Sequence, residues 1–114
     1  MFYMIGTFNL ALPGRPPAQA ERYYLDHHVP LAQQLPGLRA YTIGTLAATP
    51  TIRAERHRGA ILAFDSEEAW RAAYRSPVGR ELRADEARLI VDPNVVLISG
   101  QEVLLDIGGR RSGP

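Results

Sequence analysis

Two adjacent histidines in the first third of the chain could move protons near neutral pH. The run Tyr23-Tyr24-Leu25-Asp26-His27-His28-Val29-Pro30-Leu31 holds two of the three histidines in the sequence. Imidazole has an ordinary pKa close to neutrality, so it can serve as an acid or as a base. The direction in which each ring points therefore decides whether this segment does chemistry.

Helical spacing separates the two histidines. One stripe of the predicted helix, at intervals of four, three and four residues, contains Tyr24, His28, Leu31 and Leu35. Its leucines indicate that this stripe is the buried one. His28 is therefore predicted to point inward, whereas His27 lies about 100° around the helix and is free to face water. The alternative is a core histidine hydrogen-bonded to a neighbouring strand, as buried polar groups commonly are.

Pro30 should disturb this helix. Proline has no amide hydrogen to donate to the carbonyl of Asp26, so the helix is expected to kink or loosen beside His28. A loosened turn would leave a bare carbonyl oxygen near the imidazole, where a ligand or water could bind.

A carboxylate interrupts an apolar stripe later in the chain. The helix that begins at Ser76-Pro77 presents the stripe Val78, Leu82, Asp85 and Leu89. An inward Asp85 would orient His28 or act as a base with a raised pKa. The alternative is a carboxylate that turns to solvent or caps a turn, because carboxylates are rarely buried without a partner.

Aromatic side chains could complete a binding site. Tyr24 shares the stripe of His28 and could donate a hydrogen bond to a developing enolate or phenolate. The residues that could wall a flat aromatic substrate are Tyr41, Tyr3, Tyr74 and Trp70. Tyrosines of small domains also form core or dimer contacts, which is the competing interpretation.

Composition excludes several classes of protein. The 13 basic and 12 acidic residues give a net charge of +1, which argues against a dedicated nucleic-acid binder. The absence of cysteine excludes disulfides, zinc–thiolate sites and iron–sulfur clusters. The histidines show no spacing typical of metal ligands, and no glycine loop suited to phosphate is present. We therefore expect neither a metal nor a cofactor.

Length and hydropathy predict one domain. We expect a folded unit over residues 1–107 and a disordered tail over residues 108–114. The first residues run directly into a strand pattern without a basic leader, so no signal peptide is expected. No apolar run approaches the length of a membrane span. A soluble cytoplasmic protein is the expectation.

The order of predicted elements indicates an α+β fold. The pattern predicts a strand over 2–10, a helix over 18–35, strands over 38–46 and 59–64, helices from Asp65 and Ser76, a turn at 92–94 and a strand over 95–105. This is a ferredoxin-like βαββαβ order: a four-stranded antiparallel sheet with helices on one face. Candidates for its second face are Ile5, Tyr41, Ile43, Ile61 and Ile98. A second copy of the chain would cover them in a homodimer.

The histidine motif resembles the signature of EthD-domain proteins. The resemblance rests on the run 23–31, on Leu35-Pro36-Gly37-Leu38-Arg39-Ala40-Tyr41, and more weakly on Ser76-Pro77-Val78, Asp85 and Val91-Asp92-Pro93. It implies a dimeric α/β barrel with a pocket between sheet and helices, and it matches His28 to the family's His-x-Pro histidine. Members and relatives include cofactor-free isomerases, cyclases and decarboxylases acting on lactones or aromatic polyketides. The resemblance therefore predicts the fold more firmly than it predicts the reaction.

These observations predict a cofactor-free enzyme of proton transfer. Isomerisation, cyclisation with loss of water, or decarboxylation of a small apolar carbonyl, lactone or polyketide-like substrate would suit the pocket. His28 would be the base or acid, Asp85 its partner, and Tyr24 and Tyr41 would position the substrate or stabilise an oxyanion. The alternatives are a non-catalytic binding protein and a cofactor-free or haem-dependent monooxygenase of the same superfamily.

Overall fold

A four-stranded antiparallel sheet carries the helices on one of its faces. The computed structural model describes residues 1–100. The elements are β1 (Phe2–Leu10), α1 (Pro17–Tyr23), a π-helical turn (Tyr24–His28), α2 (Val29–Ala32), β2 (Ala40–Thr45), β3 (Arg58–Phe64), α3 (Glu67–Arg75), α4 (Pro77–Leu89) and β4 (Ile90–Ser99). The strands lie in the order β2-β3-β1-β4, and every neighbouring pair is antiparallel. The predicted ferredoxin-like α+β fold is confirmed.

The first helix is broken where Pro30 was expected to loosen it. The amide of Val29 donates to the carbonyl of Tyr24, five residues back, so the chain makes one π-helical turn. Pro30 follows at the start of α2, where its missing donor is tolerated. The helical segment ends at Ala32 and not at Leu35, because a turn already begins at Gln33.

The last strand differs from its prediction. β4 begins at Ile90, directly after α4, and the expected turn at Asp92–Asn94 lies within it. Asp92 has a φ of 53°, and the register with β1 shifts between Thr7 and Asn9, so the strand absorbs the irregularity as a bulge. Pro93 is tolerated because β4 is an edge strand. The predicted continuation to residue 105 and the predicted tail over 108–114 lie outside the described residues.

Strand register decides which side chains face the helices. Tyr41 pairs with Leu62 and Ile43 pairs with Ala60, and both pack into the core under the helices. Their predicted place on the second face was wrong. Ile5, Ile61 and Ile98 lie on the second face as predicted, together with Tyr3 and Val96, and Ile61, Val96 and Ile98 are exposed by 40%, 51% and 41%. Residues 1–100 of one chain leave this apolar face uncovered.

Ser76 and Pro77 begin α4 as predicted. The Ser76 hydroxyl accepts a hydrogen bond from the amide of Gly79 at 3.1 Å, and Pro77 occupies the first helical position. Gly79 lies against the end of α3, where a Cβ atom would collide with the carbonyl oxygen of Ala73 and the backbone of Tyr74. This close approach sets the path of α4, and thus the position of Asp85.

Gly79→Ala is expected to destabilise the protein, although alanine normally favours a helix by about 1 kcal/mol. The added methyl group must push backbone atoms apart, so the free energy of unfolding should fall by about 1–3 kcal/mol. Chemical denaturation measures it. Arg80→Ala, one residue later on the exposed side, is the matched control and should change it by less than about 0.5 kcal/mol. A Gly79→Ala protein as stable as wild type would contradict the close packing of α3 and α4.

Candidate functional site

The π-helical turn delivers the ring of His28 to the interior. His28 is 5% exposed, and its ring stacks on that of Tyr24 with 5.5 Å between ring centroids. His27 is half exposed and stacks on Tyr23, with ring centroids 4.8 Å apart. The two histidines therefore point to different environments, as their helical spacing predicts.

Asp85 of α4 is the partner of His28. Its carboxylate is 2% exposed, and its Oδ2 lies 2.7 Å from Nδ1 of His28. Asp85 therefore points inward to His28, and the alternative in which it turns to solvent or caps a turn is wrong. The structure brings together residues that lie 57 positions apart in the sequence. We call these two residues the His28–Asp85 pair.

Three further groups hold the carboxylate from its other side. Arg88 donates from Nη2 to Oδ1 of Asp85 at 2.6 Å and to the hydroxyl of Tyr23, also at 2.6 Å. The Tyr23 hydroxyl itself donates to Oδ1. Nε2 of His27 lies 4.0 Å from the same oxygen. Asp85 thus satisfies the condition that a buried charge must be paired and hydrogen-bonded.

These contacts set the protonation states of the pair. Burial acts to raise the pKa of Asp85, but hydrogen bonds from Tyr23, His28 and Arg88 outweigh it and hold that pKa below its ordinary value. Burial lowers the pKa of His28, and Asp85 offsets this in part. At neutral pH the pair is therefore a carboxylate and a neutral imidazole. Because a carboxylate only accepts, Nδ1 of His28 carries the proton and Nε2 has a free lone pair.

A cavity of about 390 Å³ lies beside His28, between the sheet and α4. Its walls are mainly apolar and include Met4, Phe8, Leu62, Ile90 and Val95. The polar and charged side chains on its walls are His28, Thr7, Tyr41, Tyr74, Arg83 and Glu86. Nε2 of His28 forms no hydrogen bond with the described residues. An apolar cavity with a few polar groups is the usual form of a small-molecule site.

The predicted aromatic residues are divided among four locations. Tyr41 lies on the cavity wall, and burial raises its pKa, so it is a neutral hydrogen-bond donor. Tyr24 is fully buried behind the cavity against Phe8, and no residue in the described range accepts or donates a hydrogen bond at its hydroxyl. It is nevertheless close enough to Tyr41 for each phenol to affect the pKa of the other.

Trp70 and Tyr3 lie away from this cavity. Trp70 stacks on Phe2 at 5.1 Å and donates from Nε1 to Sδ of Met4 at 3.2 Å. It therefore belongs to the core of the sheet. Tyr3 pairs with Ala63 and Ile98 on the second face of the sheet. Neither residue lines the cavity beside His28. Tyr74 does line it, together with Tyr41.

Glu86 is the most consequential of the polar cavity residues that sequence reasoning missed, the others being Thr7 and Arg83. Burial raises its pKa to about 7; Arg83 opposes this rise and Asp85 adds to it. One signal was available, because Glu86 lies four residues after Leu82 and so flanks the apolar stripe of α4. Sequence reasoning selected Asp85 because it lies on that stripe.

The described residues contain no cluster of three or more histidine, aspartate or glutamate side chains suited to a metal ion. Over the same range, none of the helices has the combination of length and hydropathy that crossing a membrane requires.

Two solved structures share this fold. A dimeric ferredoxin-like protein of unknown function from Thermobifida fusca is 23% identical, with a TM-score of 0.61 over 86% of this chain and 89% of that one. SnoaB from Streptomyces nogalater, described as a cofactor-independent oxygenase, is 16% identical, with a TM-score of 0.63 over 92% of this chain and 97% of that one. At these identities the likeness concerns the fold alone.

Sequence comparison gives the family. An uncharacterized 11.0 kDa protein in the thcB-thcC intergenic region of Rhodococcus erythropolis is 28% identical over 89 residues, which are 78% of this chain and 86% of that protein. The EthD domain profile matches residues 12–93, a range that contains both His28 and Asp85. The resemblance stated from the histidine motif is confirmed, and the chain belongs to the EthD family.

Proposed function

We propose that this protein is an enzyme that transfers protons with its own side chains, acting on a small, largely apolar carbonyl compound. The observation that supports this most directly is the His28–Asp85 pair, with 2.7 Å between Nδ1 and Oδ2 and with His28 on the wall of the cavity. The substrate would be enclosed between the sheet and α4.

His28 is the proposed base. Its neutral ring has the free lone pair on Nε2 that proton abstraction requires. When Nε2 takes a proton the imidazole becomes positively charged, and the carboxylate of Asp85 stabilises that charge. Asp85 thus keeps the proton of neutral His28 on Nδ1, and it stabilises the imidazolium that forms when Nε2 takes a second proton. It acts through His28 and is a positioning residue.

Tyr41 is the proposed oxyanion donor. Removing a proton next to a carbonyl group places negative charge on the carbonyl oxygen. A neutral phenol on the wall of a mainly apolar cavity can donate a hydrogen bond to that oxygen. Because burial raises the pKa of Tyr41, the donor keeps its proton at neutral pH.

A second candidate is a cofactor-independent oxygenase. The fold is shared with SnoaB, which is described in those words. In that case the same base would remove a proton from an electron-rich substrate, and dioxygen would react with the resulting anion. Consumption of dioxygen during turnover distinguishes this reaction from simple proton transfer.

We also propose that two copies of the chain pair through the second face of the sheet. The exposed residues Ile61, Val96 and Ile98 form an apolar surface there, and the Thermobifida fusca protein of the same fold is described as dimeric. Contiguous apolar surface of this kind marks protein interfaces.

His28→Gln is expected to slow carbon deprotonation by roughly 10²–10⁴-fold, because glutamine cannot take up a proton. Nitrobenzisoxazole is a suitable probe, since its ring opens to a coloured cyanophenolate once a base removes its carbon-bound proton. His57→Gln is the matched control: His57 is half exposed and pairs with Glu21, away from the cavity. If His28→Gln opens the probe within about threefold of wild type, His28 is not the base. Wild type that only binds the probe would indicate the non-catalytic alternative.

Asp85→Asn should lower the pKa of His28 further, because Asp85 raises that pKa in the wild-type protein. Nuclear magnetic resonance titration of the His28 imidazole signals measures it. Glu81→Gln, an exposed carboxylate on the same helix, is the control and should leave the pKa of His28 unchanged. An unchanged or raised pKa of His28 in Asp85→Asn would contradict the pairing.

Val96→Lys is expected to convert a dimer into a monomer, because it places a charge in the apolar interface. Leu97→Lys is the matched control, since Leu97 is similarly exposed at 46% but lies on the other side of the same strand. Sedimentation measures the mass of each variant in solution. A wild-type monomer at micromolar concentration would rule out the proposed interface.

A further inference from the structure

Glu86 lies on the wall of the same cavity as His28 and lacks a partner of its own. It is partly buried, and among the described residues its carboxyl group is influenced by charge from Arg83 and Asp85 but by no hydrogen bond. The nearest guanidinium, that of Arg83, lies over the ring of Tyr74, 5.4 Å from its centroid. The carboxyl group therefore has no protein partner in this range and is open to a hydrogen bond from a ligand in the cavity.

Asp85 and Glu86 are neighbours on α4 with opposite environments. Successive helical residues point about 100° apart, so Asp85 lies behind the His28 ring while Glu86 lies on the cavity wall. Asp85 accepts hydrogen bonds from three groups and is ionised. Glu86 accepts none from the described residues, and burial favours its neutral form. When two neighbouring carboxyl groups have pKa values shifted in opposite directions, one can act as an acid while the other stays ionised.

We propose that Glu86 is the proton donor that complements His28, and that the substrate of this cavity is a β-hydroxy ketone which loses water. This inference rests on the proposed function, because it requires His28 to act as the base. Loss of water from such a compound needs a base for the proton next to the carbonyl group. It also needs an acid, because hydroxide is a poor leaving group.

The step balances without any further reactant. Nε2 of His28 takes the proton from the carbon next to the carbonyl group, and the electron pair of that bond forms the new carbon–carbon double bond. The bond between the β-carbon and the hydroxyl oxygen breaks. Glu86 gives its proton to this oxygen, which leaves as water. The imidazolium and the carboxylate then return to their starting states by exchanging one proton through solvent.

The surroundings of Glu86 are consistent with this role. The titratable and charged groups that face it are Arg83 and Asp85 on its own helix, Tyr74 on α3, Tyr41 on β2 and His28 on the π-helical turn. The phenols of Tyr41 and Tyr74 have raised pKa values and stay neutral, so they add no charge near neutral pH. The cavity volume of about 390 Å³ lies within the range of small-molecule sites.

The test compares two probes on one variant. The aldol of benzaldehyde and acetone is a β-hydroxy ketone that yields an ultraviolet-absorbing enone when it loses water, so it needs both groups. Nitrobenzisoxazole needs the base alone, because its phenolate leaves without a proton. Glu86→Gln keeps the shape of the side chain but cannot transfer a proton. We expect it to lose at least about tenfold more rate on the aldol than on nitrobenzisoxazole.

A pH profile supplies a second readout. The wild-type rate on the aldol should fall as pH rises through about 7, where Glu86 loses its proton. It should also fall in acid, below the lowered pKa of His28, where the base becomes protonated. Glu86→Gln should lose the alkaline limb and keep the acid limb. Glu81→Gln, on the exposed side of α4, should retain both limbs and the wild-type rates.

The outcomes separate this inference from the proposed function. Equal losses on both probes, or an alkaline limb that survives in Glu86→Gln, would overturn the role of Glu86 while leaving His28 as the base. Wild type that opens nitrobenzisoxazole but does not dehydrate the aldol would also overturn it. If His28→Gln retains wild-type rates on both probes, the proposed function itself fails, and the inference fails with it.

Discussion

The contact between His28 and Asp85 is the constraint on which the rest of the site depends. A carboxylate that is 2% exposed is tolerable only with partners, and those partners come from the first helical segment and from α4. The pair therefore fixes the distance between two elements that are far apart in the sequence. The cavity beside it is the space that remains between these elements and the sheet. The volume of the cavity and the protonation states of His28 and Asp85 therefore both depend on this one contact.

The parts of this arrangement that depend on local pattern could be read from the sequence. The inward direction of His28 follows from helical spacing, and the loosened turn follows from the missing donor of Pro30. The order of elements along the chain follows from the alternation of apolar residues and the positions of the turns. Each of these features is set by residues within a few positions of one another, so no tertiary information is needed.

The parts that depend on register and packing could not be read in this way. Alternation shows that Tyr41 and Ile43 share a face of β2, but only pairing with Leu62 and Ala60 shows which face it is. The sequence left an inward and a solvent-facing Asp85 both open, because His28 and Tyr23, two of its three partners, lie far from it in the chain. Glu86 lines the cavity because of the distance between α4 and the sheet, which the sequence does not give. Sequence separation, rather than weak signal, limited each of these predictions.

The two carboxylate oxygens of Asp85 have different surroundings. One oxygen faces His28 in the interior, while the other meets Arg88, whose side chain is 64% exposed. Substitutions at the surface position can therefore adjust the pKa of the buried His28 without altering the walls of the cavity. The reactivity and the selectivity of such a site can change independently during evolution, because different residues govern them.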